Sequence, residues 1–155
     1  MRLGLHLSIV GSIDKVVDRA VERDCNTLQM FARNPRGWRS KELEIVESES
    51  FKKKLSKSDV WPVFIHTPYL LNLASPRGDV YQKSVEALKG ELQRAGKLGV
   101  PFVVTHLGSH LGHGKMKGFG RIANAVNDSF SAVENNVILL LENTAGTRNS
   151  MGSSF

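Results

Sequence analysis

Five short apolar runs alternate with four stretches of helical periodicity, and this alternation constrains the fold more than any other feature of the chain. The runs cover residues 3–7, 27–31 (TLQMF), 62–65 (PVFI), 102–105 (FVVT) and 137–141 (VILLL). The first intervening stretch carries Ile13, Val16, Val17, Ala20 and Val21, the spacing of one face of an amphipathic helix. A charged segment, 42–57, presents Leu43, Val46, Phe51 and Leu55. Tyr81, Val85, Leu88, Leu92 and Ala95 form the third stripe, with Gly99 as a helix stop. Phe119, Ile122, Ala123, Val126, Phe130 and Val133 form the fourth. Strands that are apolar without alternation belong to parallel sheets covered on both faces. The order βαβαβαβαβ therefore indicates an α/β fold, either a doubly wound sheet or a barrel. After the fifth run the chain reads ENTAGTRNSMGSSF, with no helical pattern. Five strands do not close an eight-stranded barrel, so either an open sheet or an incomplete barrel is expected.

Composition narrows the class further. Hydrophobic residues make up 41% and charged residues 23%, ordinary for a globular domain. No run reaches the roughly 18–20 apolar residues that cross a bilayer, so no membrane partner is expected. One cysteine, Cys25, leaves no internal disulfide and no cysteine-rich zinc ribbon. Together with the lack of a recognisable secretion signal, this suits a cytoplasmic location. The formal charge of +6 favours an anionic partner, nucleic acid first.

The chemistry gathers where the strands end. His66 follows PVFI, His106 follows FVVT and Glu142 follows VILLL, with His6 near the end of the first run. In parallel α/β folds the carboxyl ends of strands carry the functional site. Two histidines and a glutamate form a catalytic zinc set with one position left for water. His110 and His113, in the Gly-rich stretch after His106, read as loop residues rather than ligands. The segment Arg33-Asn34-Pro35-Arg36-Gly37-Trp38-Arg39-Ser40-Lys41 leaves the same rim and holds four cations and no acid. Its arginines suit phosphates or a minor groove, and Trp38 suits either packing of the loop base or stacking on a base. Tyr69 and Leu70, beside His66, suit either loop packing or a wedge into a base stack.

The stretches GLHLSIVGSIDKVVDRA, LQMFARNPRGWRSKEL, IHTPYLLNLASP, VVTHLGSHLGHG and LLENTAG, in this order, resemble endonuclease IV. That family comprises AP endonucleases on a xylose-isomerase-like TIM barrel. The resemblance runs from residue 1 to the terminus and implies the N-terminal portion of a (β/α)8 barrel, about five parallel βα units, with residues 1–155 part of a single domain. It implies metal ligation by His66, His106 and Glu142, with Glu142 also the catalytic carboxylate. It implies DNA contact by Asn34, Arg36, Trp38, Tyr69 and Leu70. His6 matches a position near the site that is not a ligand. Three Zn2+ ions serve the complete family, and ligands for one are present here. The implied substrate is double-stranded DNA with abasic sites, cut 5′ to the lesion by a zinc-activated water to leave a 3′-hydroxyl. The family barrel is nearly twice as long, and its later strands supply the other ligands. The 155 residues alone are therefore expected to be poorly active and prone to self-association through an open barrel edge. Ser12, where the family usually has a second Gly, is a minor departure. Two other readings remain: a metal-dependent sugar isomerase or epimerase of the same superfamily, and a non-catalytic fragment with residual DNA binding.

Overall fold

The computed structural model describes residues 1–153. Its elements follow the sequence order: β1 (Gly4–Leu7), α1 (Lys15–Val21), β2 (Thr27–Phe31), α2 (Ile45–Leu55), β3 (Val63–His66), α3 (Gly78–Leu98), β4 (Phe102–His106), α4 (Lys115–Ser131) and β5 (Ile138–Glu142). The strands form one sheet in the order β1-β2-β3-β4-β5. Every neighbouring pair is parallel. Each crossover carries one helix. This is the repeated βα unit of a TIM barrel, with β1 and β5 as edges among the described residues.

Side-chain alternation along each strand separates two faces. Leu28, Met30, Val63, Ile65 and Val103 point to the helices and are buried. They meet Val16, Val17 and Ala20 of α1, Phe51 of α2, and Val85, Leu88, Leu92 and Ala95 of α3 in one core. The opposite parity holds Gln29, Phe31, Phe64, His66, Phe102, Val104 and His106, which are only partly covered except for His66. Phe64 and Phe102 stack across this concave face, ring centroids 5.2 Å apart.

The last three strands end one residue later than hydropathy suggests. His66 and His106 are the last residues of β3 and β4, and Glu142 is the last of β5. His66 pairs with Phe31 and Val104, and His106 pairs with Glu142. A residue on the last rung inherits the parity of the strand, so all three side chains belong to the concave face.

Three helices differ from the expected faces. In α1, Val21 is 54% exposed because no helix packs on its outer side among the described residues. The charged helix begins at Ile45, where Glu44 and Glu47 form a capping box, and both Ile45 and Val46 lie in solvent. In α4 the buried stripe is Gly118, Ile122, Ala125 and Ser129. That stripe is rotated from the larger residues, leaving Phe119 and Phe130 exposed. Small side chains let this helix lie close to its neighbours, and Met151 and His110 fill the space a side chain at 118 would take. Gly99 does end α3, in the left-handed conformation at φ 68°. After β5 no helix follows within the described residues; the chain folds back in turns over the loop after β4.

Candidate metal and nucleic-acid site

Two imidazoles and a carboxylate converge at the carboxyl end of the sheet. His66 Nε2 lies 2.8 Å from Glu142 Oε2, and His106 Nδ1 lies 3.4 Å from the same oxygen. One donor atom from each of the three falls within 4.8 Å of the others. A tetrahedral zinc holds N and O ligands at about 2.0–2.2 Å, which sets neighbouring ligands about 3.3 Å apart. The observed separations bracket that value. His66 is buried, whereas the His106 and Glu142 side chains are 40% and 41% exposed. The set therefore opens towards solvent.

The backbone selects the His66 tautomer. His66 Nδ1 lies 2.7 Å from the Thr67 carbonyl, which can only accept, so Nδ1 carries the hydrogen. Nε2 is left to face Glu142. A lone pair and a carboxylate oxygen 2.8 Å apart need a shared proton or cation between them. His6, on β1, stands 6.4 Å from the His66 ring and 4.4 Å from that of Phe31, measured between centroids. Burial, and then the electrostatic influence of the His66 ring, lower its pKa, so it stays neutral more readily than a free imidazole. It lies outside the three-residue set.

The loop after β2 is held from beneath by α3. Arg33, one of the four cations counted in this loop, is buried against Glu91, with Nε 2.6 Å from Oε1. Its Nη1 donates to the Trp38 carbonyl at 3.1 Å. One turn further along α3, Arg94 donates to the carbonyls of Ala32 and Lys41 at 3.1 and 2.9 Å. Arg33 is thus an internal strut and unavailable to a phosphate. Burial pushes the Glu91 carboxyl up to about 7 against the opposing pull of Arg33 and Arg94. Above this base the tip stands free. Asn34 and Arg36 are exposed, and Asn34 Oδ1 accepts the Arg36 N–H at 3.0 Å. Trp38 is half-buried against the core, which favours its packing role. Tyr69 is 64% exposed, with its ring 5.1 Å from Phe31 in an edge contact, and Leu70 is partly covered. A cleft of about 580 Å³ between His6, Phe31, Asn34 and Arg36 joins the loop tip to the end of β1.

His110 and His113 behave as loop residues. His110 is buried and its Nδ1 accepts the Gly114 N–H at 3.2 Å; His113 is exposed. Sequence reasoning missed Glu91 and the loop-bracing role of Arg33. The signal was present: a glutamate three residues after Leu88, on the apolar stripe of α3, needs a buried cation.

A run of parallel βα units with a metal-capable cluster at its carboxyl mouth defines the class, and the chain belongs to the xylose isomerase-like TIM barrel family, matching it over residues 17–155. The particular relatives are more specific. The chain is 54% identical to a probable endonuclease 4 from Cenarchaeum symbiosum (strain A), over 100% of this chain and 56% of the relative. It is 50% identical to a probable endonuclease 4 from Methanoculleus marisnigri, over 98% of this chain and 54% of the relative. The crystal structure of endonuclease IV from Thermus thermophilus superposes with a TM-score of 0.87 at 35% identity, covering 98% of this chain and 55% of that one. A D-tagatose 3-epimerase-like protein superposes with a TM-score of 0.71 at 17% identity, over 97% of this chain and 56% of that one, a likeness of fold alone. The chain spans about half the length of the relatives it matches.

Proposed function

We propose that residues 1–155 are part of a single barrel domain of a zinc-dependent endonuclease of base-excision repair. The reaction is hydrolysis of the phosphodiester 5′ to an abasic site, leaving a 3′-hydroxyl. The observation that carries this reading is the convergence of one donor atom each from His66, His106 and Glu142 within 4.8 Å of one another at the barrel mouth. The donor set supports zinc: two nitrogens and one oxygen, one imidazole already turned by the Thr67 carbonyl to offer Nε2. A bound Zn2+ supplies a water acidified towards neutral pH and a positive charge for the leaving oxygen. Glu142 is the one anionic member of the set, and its second oxygen is free to contact a further ion or the attacking water's proton. Among the described residues no helix is long and apolar enough to cross a membrane. A cytoplasmic location belongs to the same reading.

The DNA-facing residues follow from exposure. Arg36 and Asn34 stand on a loop tip whose base is locked by Glu91 and Arg94, so the tip reaches the duplex without first being ordered. Arg36 neutralises a phosphate or enters the minor groove, and Trp38 packs beneath it. Tyr69, exposed with its ring against Phe31, and the neighbouring Leu70 enter the base stack at the lesion, where an abasic position has no stacking to lose. An epimerase would have no use for an exposed Arg36 and Tyr69 flanking its metal.

Two measurements test the proposal. Bound zinc is expected at about one per chain and to be lost in His66→Ala and His106→Ala. Affinity for abasic duplex is expected to fall in Arg36→Ala and Tyr69→Ala while zinc content stays unchanged. Zinc binding with no preference for abasic over intact duplex would overturn the repair reading. Cleavage by the 155 residues alone is expected to be weak, because this set serves a single ion and the reaction uses three. Robust turnover would contradict that.

A further inference from the structure

The loops behind His66 and His106 are tied together by one side chain. Asn72 Oδ1 accepts the Ser109 N–H at 2.9 Å and the Ala74 N–H of its own turn at 3.2 Å. Asn72 is itself anchored to α3: its backbone N–H donates to Ser84 Oγ at 2.9 Å, and that hydroxyl donates to the Val80 carbonyl at 2.7 Å. The approach is close enough to dictate the neighbouring residue. Gly108 has φ 85°, and a Cβ there would sit 2.2 Å from Asn72 Oδ1. The tie continues into the third loop. Met151 N–H donates to the Gly108 carbonyl at 2.8 Å, and His110 N–H donates to the Asn149 carbonyl at 3.0 Å. Ser109 and Ser150 form an isolated antiparallel bridge. The Met151 side chain is buried, and Gly152 packs close to the Glu142 carbonyl. Asn72 therefore stands at the start of a network linking the loops after β3, β4 and β5, each of which begins beside one member of the candidate metal set.

We propose that Asn72 is a positioning residue for His66, His106 and Glu142, an inference that rests on the reading of those three as a metal site. Its carboxamide oxygen fixes the chain three residues beyond His106 against the chain six residues beyond His66. The strand ladder sets the height of each ligand, but it does not stop the loops from swinging apart above the last rung. The tie restricts that motion before any ion arrives, so less ordering remains to be done on binding. Only an acceptor is required, because both contacts are made by Oδ1. Aspartate supplies the same acceptor; alanine does not.

Cobalt(II) titration of the 155-residue chain, followed by the visible absorbance of the ion, tests this alongside hydrogen exchange of the Ser109 amide. Asn72→Ala is expected to weaken cobalt binding by about 10–100-fold, the usual cost of losing a partner that orients ligands. The Ser109 amide should lose protection in the same variant. Asn72→Asp should restore both to near the unsubstituted chain. If Asn72→Ala fails to fold, Gly108→Ala carries the test, since its methyl group displaces Oδ1, and the same loss is expected. A folded Asn72→Ala with unchanged cobalt affinity, or with Ser109 still protected, overturns the role of Asn72 alone. An unsubstituted chain that binds no cobalt overturns the metal reading and this inference with it.

Discussion

Two arginines three positions apart, Arg33 and Arg36, divide the work of one loop. Arg36 is exposed at the tip, and its removal is expected to weaken binding to abasic duplex and to reduce the slope of log affinity against log salt by about one unit. Fluorescence anisotropy across a salt series measures both; an unchanged slope would show that Arg36 meets no phosphate. Arg33 is buried on Glu91, so the consequence of losing either partner is structural. Above about pH 7, where Glu91 is ionised, Glu91→Ala leaves a guanidinium in the core without its counter-ion, at a cost of about 3–5 kcal/mol in chemical denaturation. The pH dependence has a definite sign. Burial raises the Glu91 carboxyl from an ordinary 4.5 to about 7. Between those values the folded chain holds a proton that the unfolded chain has released. This contribution to stability is fully present below about 4.5 and is lost as pH rises through about 7. Denaturation midpoints should therefore fall across that window, and Glu91→Gln should flatten the fall.

At the scale of elements, the α1–α2 contact depends on a carboxylate just before α1. Asp14 accepts hydrogen bonds from the hydroxyls of Ser12 and Ser50 and pairs with Lys54 of α2 at 2.9 Å; Lys54 also meets Asp18. The Ser12 hydroxyl first, and then Lys54, lower the Asp14 carboxyl from 3.8 to about 2. This stability is present above about 3.8 and is lost as pH falls through about 2, the opposite sign to Glu91. Allowing for solvent screening, Asp14→Asn should cost about 1 kcal/mol near neutral pH and almost nothing at the acid end. Thermal melts at two pH values check the difference. The same segment shows what the sequence could reveal. The chain order of strands and helices and the placement of His66, His106 and Glu142 at strand ends were legible, because apolar runs, helical stripes and strand ends are local properties. The outward exposure of Val46, Phe119 and Phe130 was not, because a helical stripe says which residues share a face but not which neighbour covers it. The burial of Arg33 was hidden for the same reason: its partner lies 58 positions away on α3. Asn72 lies within the stretch HTPYLLNLASP, but nothing near it in sequence announces Gly108 and Ser109.

The described residues form an open arc of barrel. β1 and β5 each pair on one side only among the described residues, so each offers a row of free backbone donors and acceptors. Apolar side chains mark both edges: Leu5 is 53% exposed, Ile138 52% and Leu141 52%. Leu5 and Leu141 have helix-facing parity, yet among the described residues no helix covers them, whereas Ile138 belongs to the concave face. An edge that is both unpaired and apolar associates unless something shields it. Parallel strands leave one natural geometry, β5 of one copy beside β1 of another. Burying the exposed half of a leucine contributes about 1 kcal/mol, and a two-fold assembly would use each site twice. Replacing Leu141 with lysine should therefore weaken association by about tenfold or more, and replacing Leu5 should do the same from the other edge. Sedimentation velocity over a concentration series measures this for the chain and both variants. Association unaffected by either lysine would locate the contact elsewhere, on Phe119 and Phe130 of α4 for instance. A chain that stays monomeric throughout would overturn the edge-pairing prediction itself.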